Sequence, residues 1–471
     1  MPNLTLPLDP DVYDWVAAQA AENNQTKEAF AESLIEAWYR QQSSRSEQVL
    51  RHFREDLITG LDPDDPNSIY QGILDTTWEA LVDDDRRTQV QDALLNADGT
   101  VYLTGQGSSL SVAYWLGQYL SSKGVETYVD TTDLVDVSVI GPSDTLVGIS
   151  QSGETSSVVN TAEAADDVGV MVAVCEPGSS LVGTADVHVP VVPIGDPQDE
   201  GSIDRHVDEY AVKSLYAQLT TLHTVLEMGG APSKSALQSR FADLSSWVSQ
   251  QFSETGGLTN ESDFAQVASE IQEDSDVPAI RPAGDAGQGG AQIAPIVASL
   301  GAGHAYGYEM ALKLTELLHV NAAHEDVGSI KDRLLNVLYQ NRGYLLTIIP
   351  PSEDPEVKQR RLDYLDGNSH SINNMLATER RYPRPFRLVM LAFGELTEEE
   401  ASLRGKGAWG RAGTIQVSPD LSGGVDSISS APLPTQDLFV YAALHLYVLA
   451  LLEASEERAD EQPIDETYRD N

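Results

Sequence analysis

The sequence predicts an α/β protein in which a parallel-sheet unit occurs twice. Three observations lead there. Between 99 and 192, short β-rich runs alternate with helical stretches, the pattern of parallel strands joined through helices. The same alternation resumes between 297 and 417. Each series closes on a long apolar helix, over 207–228 in the first and 435–456 in the second.

The elements follow in order. Residues 1–95 read as a helical region, with helices over 10–21, 26–42, 46–57 and 68–95. Asn23-Asn24 and the Asp/Pro/Asn cluster at 62–67 break them. The first sheet unit, 96–230, has strands over 100–104, 126–129, 145–149, 168–174 and 187–192, rich in Val, Ile, Thr and Tyr. Polar sequence around 255–276 and the Gly/Ala-rich stretch 282–290 make 231–292 a linker or insertion. The second unit, 293–458, has a strand over 297–300, a helix over 305–319 and a strand over 344–349. Two helical stretches within 355–380 and strands over 387–392 and 413–417 follow. Residues 459–471 form an acidic tail.

At roughly 150 residues per domain, 471 residues allow about three units. The 73 acidic and 29 basic side chains give a net charge of −44, with only eight lysines. Such a field repels phosphate backbones and anionic bilayers, so neither nucleic acid nor membrane is expected as a partner. With 41% hydrophobic and 22% charged residues the chain has a globular balance. Acid excess with scarce lysine resembles proteins of salt-loving organisms. Cys175 is the single cysteine, which excludes an intrachain disulfide and a cysteine-based zinc site and fits a reduced cytoplasm. Met1-Pro2-Asn3-Leu4 lacks a signal-peptide pattern. The apolar run 438–452 is broken by His445 and is too short to span a bilayer. A soluble cytoplasmic protein is expected.

Two loops carry candidate chemistry. The first strand runs into Thr104-Gly105-Gln106-Gly107-Ser108-Ser109 before a helix. Glycines admit a close backbone, hydroxyls donate, and the helix N-terminus favours an anion. The third strand ends in Ser150-Gln151-Ser152-Gly153-Glu154-Thr155, again opening a helix. Ligands of open α/β sheets bind at the carboxyl ends of strands, near the switch in strand order, where both loops could address one phosphate. Tight turns and a capping box are the alternative. Neither loop has a basic residue, so N–H groups and dipoles would hold the anion.

In the second unit Gly301-Ala302-Gly303-His304 opens a helix bearing Glu309, Lys313 and Glu316 at i, i+4 and i+7, with Met310, Leu314, Leu317 and Leu318 on another face. Two readings stay open. One is a solvated, salt-bridged stripe beside a core face. The other is a general base paired with a cation, whose pKa desolvation would lift towards neutrality for proton transfer between adjacent carbons.

These residues resemble the sugar isomerase (SIS) domain family, in particular the isomerase half of glucosamine-6-phosphate synthase. Ser150–Thr155 is similar to its phosphosugar loop, 174–186 to the segment after its fourth strand, and 209–222 to its inter-domain helix. Ala311-Leu312-Lys313-Leu314 followed by Glu316 resembles its isomerase motif. The resemblance implies two tandem SIS domains, each a parallel-sheet sandwich of flavodoxin-like type. It implies that Ser109, Ser150, Gln151, Ser152 and Thr155 hold a sugar phosphate, while Gly107, Val212 and Ser214 touch the sugar. Glu316 would shuttle the proton and Lys313 orient it, without cofactor or metal, in a homodimer.

The departures bear on the reaction. Lys331-Asp332 stands where the family has lysine and a ring-opening histidine, and Arg333-Leu334 replaces glycine-proline. Asp332 could serve as acid or base, and His304, His319 and His324 are other candidates. Gln462-Pro463 resembles the family's tail, but the tail's substrate-contacting lysine falls on Tyr468. Over 393–400 Glu395, Glu398, Glu399 and Glu400 repel a second phosphate. No segment corresponds to the synthase's glutamine-hydrolysing half, which begins with a catalytic cysteine. Residues 4–38 faintly resemble ribbon-helix-helix DNA-binding proteins but lack their basic strand. The expected function is isomerisation or deamination of a hexose or hexosamine 6-phosphate. The alternatives are a non-catalytic phosphosugar sensor and a phosphoglucose/phosphomannose isomerase.

Overall fold

The computed structural model describes residues 26–27, 51–195, 203–204, 211–227, 233–253, 257–259, 262–273, 296–299, 303–318, 322–326, 344–349, 387–393, 413–417 and 433–461. The helices expected over 10–21 and within 355–380 lie outside these residues, as does all of 26–42 except Thr26 and Lys27.

The expected α/β architecture with parallel sheets is present. Strands β1 (Val101–Gly105), β2 (Thr127–Thr131), β3 (Thr145–Ile149), β4 (Val170–Cys175) and β5 (Val187–Pro190) form one sheet, ordered β2-β1-β3-β4-β5 and parallel throughout. Central β3 is buried along its whole length and edge β2 only partly, as expected for a sheet covered on both faces. Helices α1 (Asp84–Leu95), α2 (Ser108–Ser122) and α3 (Ser156–Ala164) lie before and between the strands. Val158 and Ala162 of α3 cover one face through Leu146, Met171 and Ala173. Leu110, Ala113 and Leu116 of α2 join the core on the other, with Leu103 and Val147.

A second sheet is built from β6 (Ile296–Ser299), β7 (Ala323–Asp326), β8 (Tyr344–Ile349), β9 (Arg387–Phe393) and β10 (Gly413–Val417). Its order, β7-β6-β8-β9-β10, repeats that of the first, again all parallel. The short, polar edge strand β7 has no apolar run to announce it. Helix α7 (His304–Leu318) follows β6.

Three expectations need correction. The helix expected over 68–95 is broken: Ile69–Gly72 and Trp78–Leu81 flank a π-turn at Ile73–Thr77, and α1 begins afresh after Asp83. Asp83 causes the restart, because its carboxylate caps α1 by accepting the Arg86 amide at 2.8 Å. The stretch 231–292, expected as a linker or an insertion, is no bare linker: it contains helices α5 (Lys234–Gln250) and α6 (Asp263–Glu273), which bury Leu237, Phe241, Leu244, Val248, Phe264 and Ile271 in the main core. Helix α4 (Val212–Leu226) is shorter than 207–228; it starts after Ala211, whose φ of 55° lies in the left-handed region that non-glycine residues rarely adopt.

The long helix α8 (Leu433–Glu461) packs against α4, α5, α6 and α7. Its segment Gln436–Ala454 is apolar enough for a membrane span, but 89% of it is buried inside the molecule, so it is a core helix. Asp437 ties it to three others. Its carboxylate accepts from Trp115 Nε1 of α2 at 2.8 Å and from the Tyr306 hydroxyl of α7, and lies 3.3 Å from His223 Nε2 of α4. Ser111 of α2 adds a hydroxyl bond to the Ala305 carbonyl of α7 at 2.9 Å.

Candidate functional site

The switch in strand order of the first sheet lies between β1 and β3, where Gly105 and Ile149 are register partners. The loops that leave these residues therefore start side by side. In the first, Gly107 at φ 60°, ψ −135° turns the chain into α2, a conformation a side chain would strain. In the second, Gly153 has φ 64°, and a Cβ there would collide with the Ser179 side chain.

The second loop is wound around Ser150, which is buried. Its hydroxyl accepts the Gly153 amide at 3.1 Å and pairs with Thr155 Oγ1 at 2.9 Å. Thr155 precedes α3 without capping it, and Ser152 Oγ accepts the Glu154 amide at 3.2 Å, so no capping box forms. Glu154 turns away to Ser180, whose hydroxyl and amide both donate to it at 2.7 Å and hold its carboxyl below its ordinary range. Cys175 lies beneath the loop with its thiol pushed up to about 11, chiefly by burial, and so remains protonated.

Two bridges join the loops. Ser157 donates to Gln106 Oε1 at 3.1 Å. Gln218, on α4 and 1% exposed, donates to Ser109 Oγ at 3.0 Å and lies 3.5 Å from Gln151 Oε1. Gln151 itself donates to the Val192 carbonyl at 2.7 Å. Gln218 Oε1 is buried without a hydrogen-bond partner among the described residues. Ser109, Ser150, Gln151, Ser152 and Thr155 are thus gathered at one sheet edge. Of the expected sugar contacts, Gly107 is in this loop. Val212 is fully buried in the hydrophobic core, so its side chain is not presented to a sugar; Ser214 lies one helical turn before Gln218.

The loop after β1 reaches the second unit. Ser108 Oγ donates to Glu309 Oε1 at 3.0 Å. Glu309 and Lys313 are fully buried with Nζ 3.5 Å from Oε1, which rules out a wholly solvated stripe. Lys313 also pairs with Glu316 Oε2 at 2.9 Å. The desolvated carboxylate is Glu309, whereas the Glu316 side chain is 39% exposed, so the expected burial of the base is not met. Burial alone would push Glu309 up; Lys313, then His445 and Ser108, hold it below its ordinary range. Asp332 lies outside the described residues, as do Lys331, His319 and Tyr468. His304 packs edge-on against His324 and Tyr114, and His324 Nε2 pairs with Ser299 Oγ at 2.8 Å. Among the described residues no group of three or more His, Cys, Asp or Glu is placed to hold a metal ion.

Sequence reasoning missed Gln218, Ser108 and His445. Each had a signal: an amide inside an apolar helix, a second serine beside Ser109, and an ionisable residue inside the apolar run 438–452.

Residues 93–228 match the family model described as SIS domain. Among solved structures, the chain is similar to tagatose-6-phosphate ketose/aldose isomerase from Escherichia coli, at 14% identity and a TM-score of 0.51, covering 88% of this chain and 92% of that one. It is also similar to the C-terminal domain of glucosamine-fructose-6-phosphate aminotransferase from Francisella tularensis, at 14% identity and a TM-score of 0.49, covering 86% and 96%. No curated protein sequence matches significantly. The family match, the strand order and the paired hydroxyl loops at the switch point agree that residues 93–228 form a SIS domain.

Proposed function

We propose that the chain is an isomerase-type enzyme acting on a hexose or hexosamine 6-phosphate, by aldose–ketose interconversion or by deamination of the amino sugar. The SIS domain supports a sugar-phosphate ligand, and the fold likeness to a ketose/aldose isomerase agrees with it. In this reading 96–230 and 293–458 are two SIS domains, because the second sheet repeats the strand order of the first. The observation that carries it is the bond from Ser108, in the phosphate-type loop, to Glu309 on the helix bearing Lys313 and Glu316.

The phosphate sits against the amides and hydroxyls of Ser109, Ser150, Gln151, Ser152 and Thr155. Glu316 takes the proton from the carbon beside the carbonyl, giving an enediol or enolamine, and returns it to the neighbouring carbon. Lys313 orients that carboxylate. The acidic field supports a small-molecule partner over nucleic acid or membrane; a homodimer belongs to the same proposal.

A thermal-shift screen of sugar phosphates in high salt, followed by turnover assays on each hit, tests it. Glu316→Gln is expected to abolish turnover with binding retained; normal turnover by that variant removes the mechanism. The 39% exposure of Glu316 favours a second reading, a sugar-phosphate sensor without catalysis. A sensor would be stabilised by ligand, less so as Ser152→Ala, and would turn over none.

A further inference from the structure

Glu309 is anchored from outside its own helix. Its Oε1 lies 3.0 Å from Ser108 Oγ, 3.5 Å from Lys313 Nζ and 3.7 Å from His445 Nε2. Oε2 of Glu309 and Nε2 of His445 are both buried with no hydrogen-bond partner among the described residues, the 3.7 Å approach being an ion-pair distance and longer than a hydrogen bond. His445 stands on α8 and is fully buried in an otherwise apolar run. Its Nδ1 is 3.2 Å from the Tyr216 hydroxyl of α4, and its ring meets Phe53 of the helical stretch 51–61 edge-on. The titrating and charged groups that face it are Tyr216 from α4 and Glu309 and Lys313 from α7. Tyr441, one turn earlier on α8, is engaged with Ser111 of α2 at 2.9 Å.

We propose that His445 is a positioning residue for the acid–base face: it turns an N–H towards Glu309 and so helps to hold Lys313 beside Glu316. The 3.2 Å contact between Tyr216 and Nδ1 fits a tautomer in which the hydroxyl donates and the hydrogen of the neutral imidazole sits on Nε2, towards the carboxylate. Burial pushes the imidazole below its ordinary range, against the pull of Glu309. The neutral ring therefore contributes a dipole and not a second cation, and among the described residues Lys313 remains the positive charge between the two carboxylates. Losing the N–H would remove one of the groups that hold Glu309 below its ordinary range against burial, and would loosen the anchor on the inner side of Lys313. The catalytic consequence rests on the isomerase reading; the pairing itself does not.

Two substitutions test it. His445→Leu removes the donor, whereas His445→Gln places an amide nitrogen near the position of Nε2 but cannot titrate. The Leu variant is expected to lose kcat roughly 10²-fold with KM within about threefold, and the acid limb of its kcat profile moves to higher pH. Gln is expected to restore kcat to within about tenfold of the unmodified protein.

Thermal unfolding against pH supplies a readout independent of turnover. The native imidazole titrates below its unfolded value, so as pH falls through about 6.5 only the unfolded state gains its proton. The unmodified protein loses that increment of stability between pH 7 and 5, and the Gln variant does not. A Leu variant that unfolds normally and keeps the original kcat and pH profile overturns the proposal. So does a Gln variant whose stability falls as steeply as the original, a result that decides the matter even where Leu prevents folding. Absence of turnover in the unmodified protein removes the isomerase reading alone, and the stability comparison still judges whether the imidazole is buried and neutral, as the positioning role requires.

Discussion

Gln218 is where the two halves of the phosphate-type site are held together. Its amide reaches Ser109 in one loop and Gln151 in the other, across 109 and 67 residues of sequence. Gln218→Leu keeps the volume and removes both contacts, together with a buried carbonyl oxygen that has no hydrogen-bond partner among the described residues. Sugar-phosphate affinity, measured by calorimetry, is expected to fall about 5- to 10-fold, the worth of roughly one hydrogen bond, while the unfolding temperature stays level or rises. Unchanged affinity would show that the loops keep their shape without the bridge. The hydroxyls of Ser150–Thr155 were legible in the sequence because their bonds are local, as in Ser150 to Thr155 at 2.9 Å. Gln218, Ser108 and His445 were not, because each acts across the fold, and a lone polar residue in an apolar stretch does not name its partner. Val212, a position carried over by resemblance, is fully buried in this core.

At the scale of elements, strands were easier to read than the helices around them. Buried parallel strands are compact apolar runs, as in β3 and β4. Helix α5 spreads Leu237, Phe241, Leu244 and Val248 among polar residues, so a composition window takes it for a linker although the i, i+4, i+7, i+11 spacing is present. The helical stretch 51–61 is likewise part of the core. Its Asp56 faces Lys213 of α4 at 4.0 Å with both side chains buried, and Phe53 packs on His445. Asp56→Ala would leave a buried ammonium without this carboxylate and is expected to cost about 3–5 kcal/mol in denaturant unfolding. The double change Asp56→Leu, Lys213→Met is expected to recover most of that loss, because the buried charge leaves with its partner. A loss below about 1 kcal/mol for Asp56→Ala, the level of an exposed pair, would mean that water reaches the pair.

Across the whole molecule, the two parallel sheets of like strand order were visible as two alternating series, but the contacts between the helices that follow them were not. Those contacts are buried, polar and made between helices distant in sequence, with Asp437 receiving Trp115 from the first unit and Tyr306 from the second. They also set the electrostatics of the site. The described loop residues bring hydroxyls and amides without a cation, and Lys313 is shared between Glu309 and Glu316. Under the proposed function, a phosphate enters a site with no surplus positive charge among the described residues, through the field of a chain carrying −44. In most phosphate sites lysine and arginine supply the attraction, and salt weakens binding by screening it. Here the long-range interaction has the opposite sign. The Debye length shrinks from about 10 Å at 0.1 M to about 3 Å at 1 M, which removes repulsion from distant carboxylates while leaving the short amide and hydroxyl contacts intact. Affinity for a sugar phosphate, titrated from low salt to 1 M, is accordingly expected to rise with ionic strength. The rise should be steeper for the dianionic phosphate near pH 8 than for the monoanion near pH 5, since repulsion scales with ligand charge. Binding that weakens steadily as salt is added would place an uncompensated cation at the phosphate and remove this account of the site.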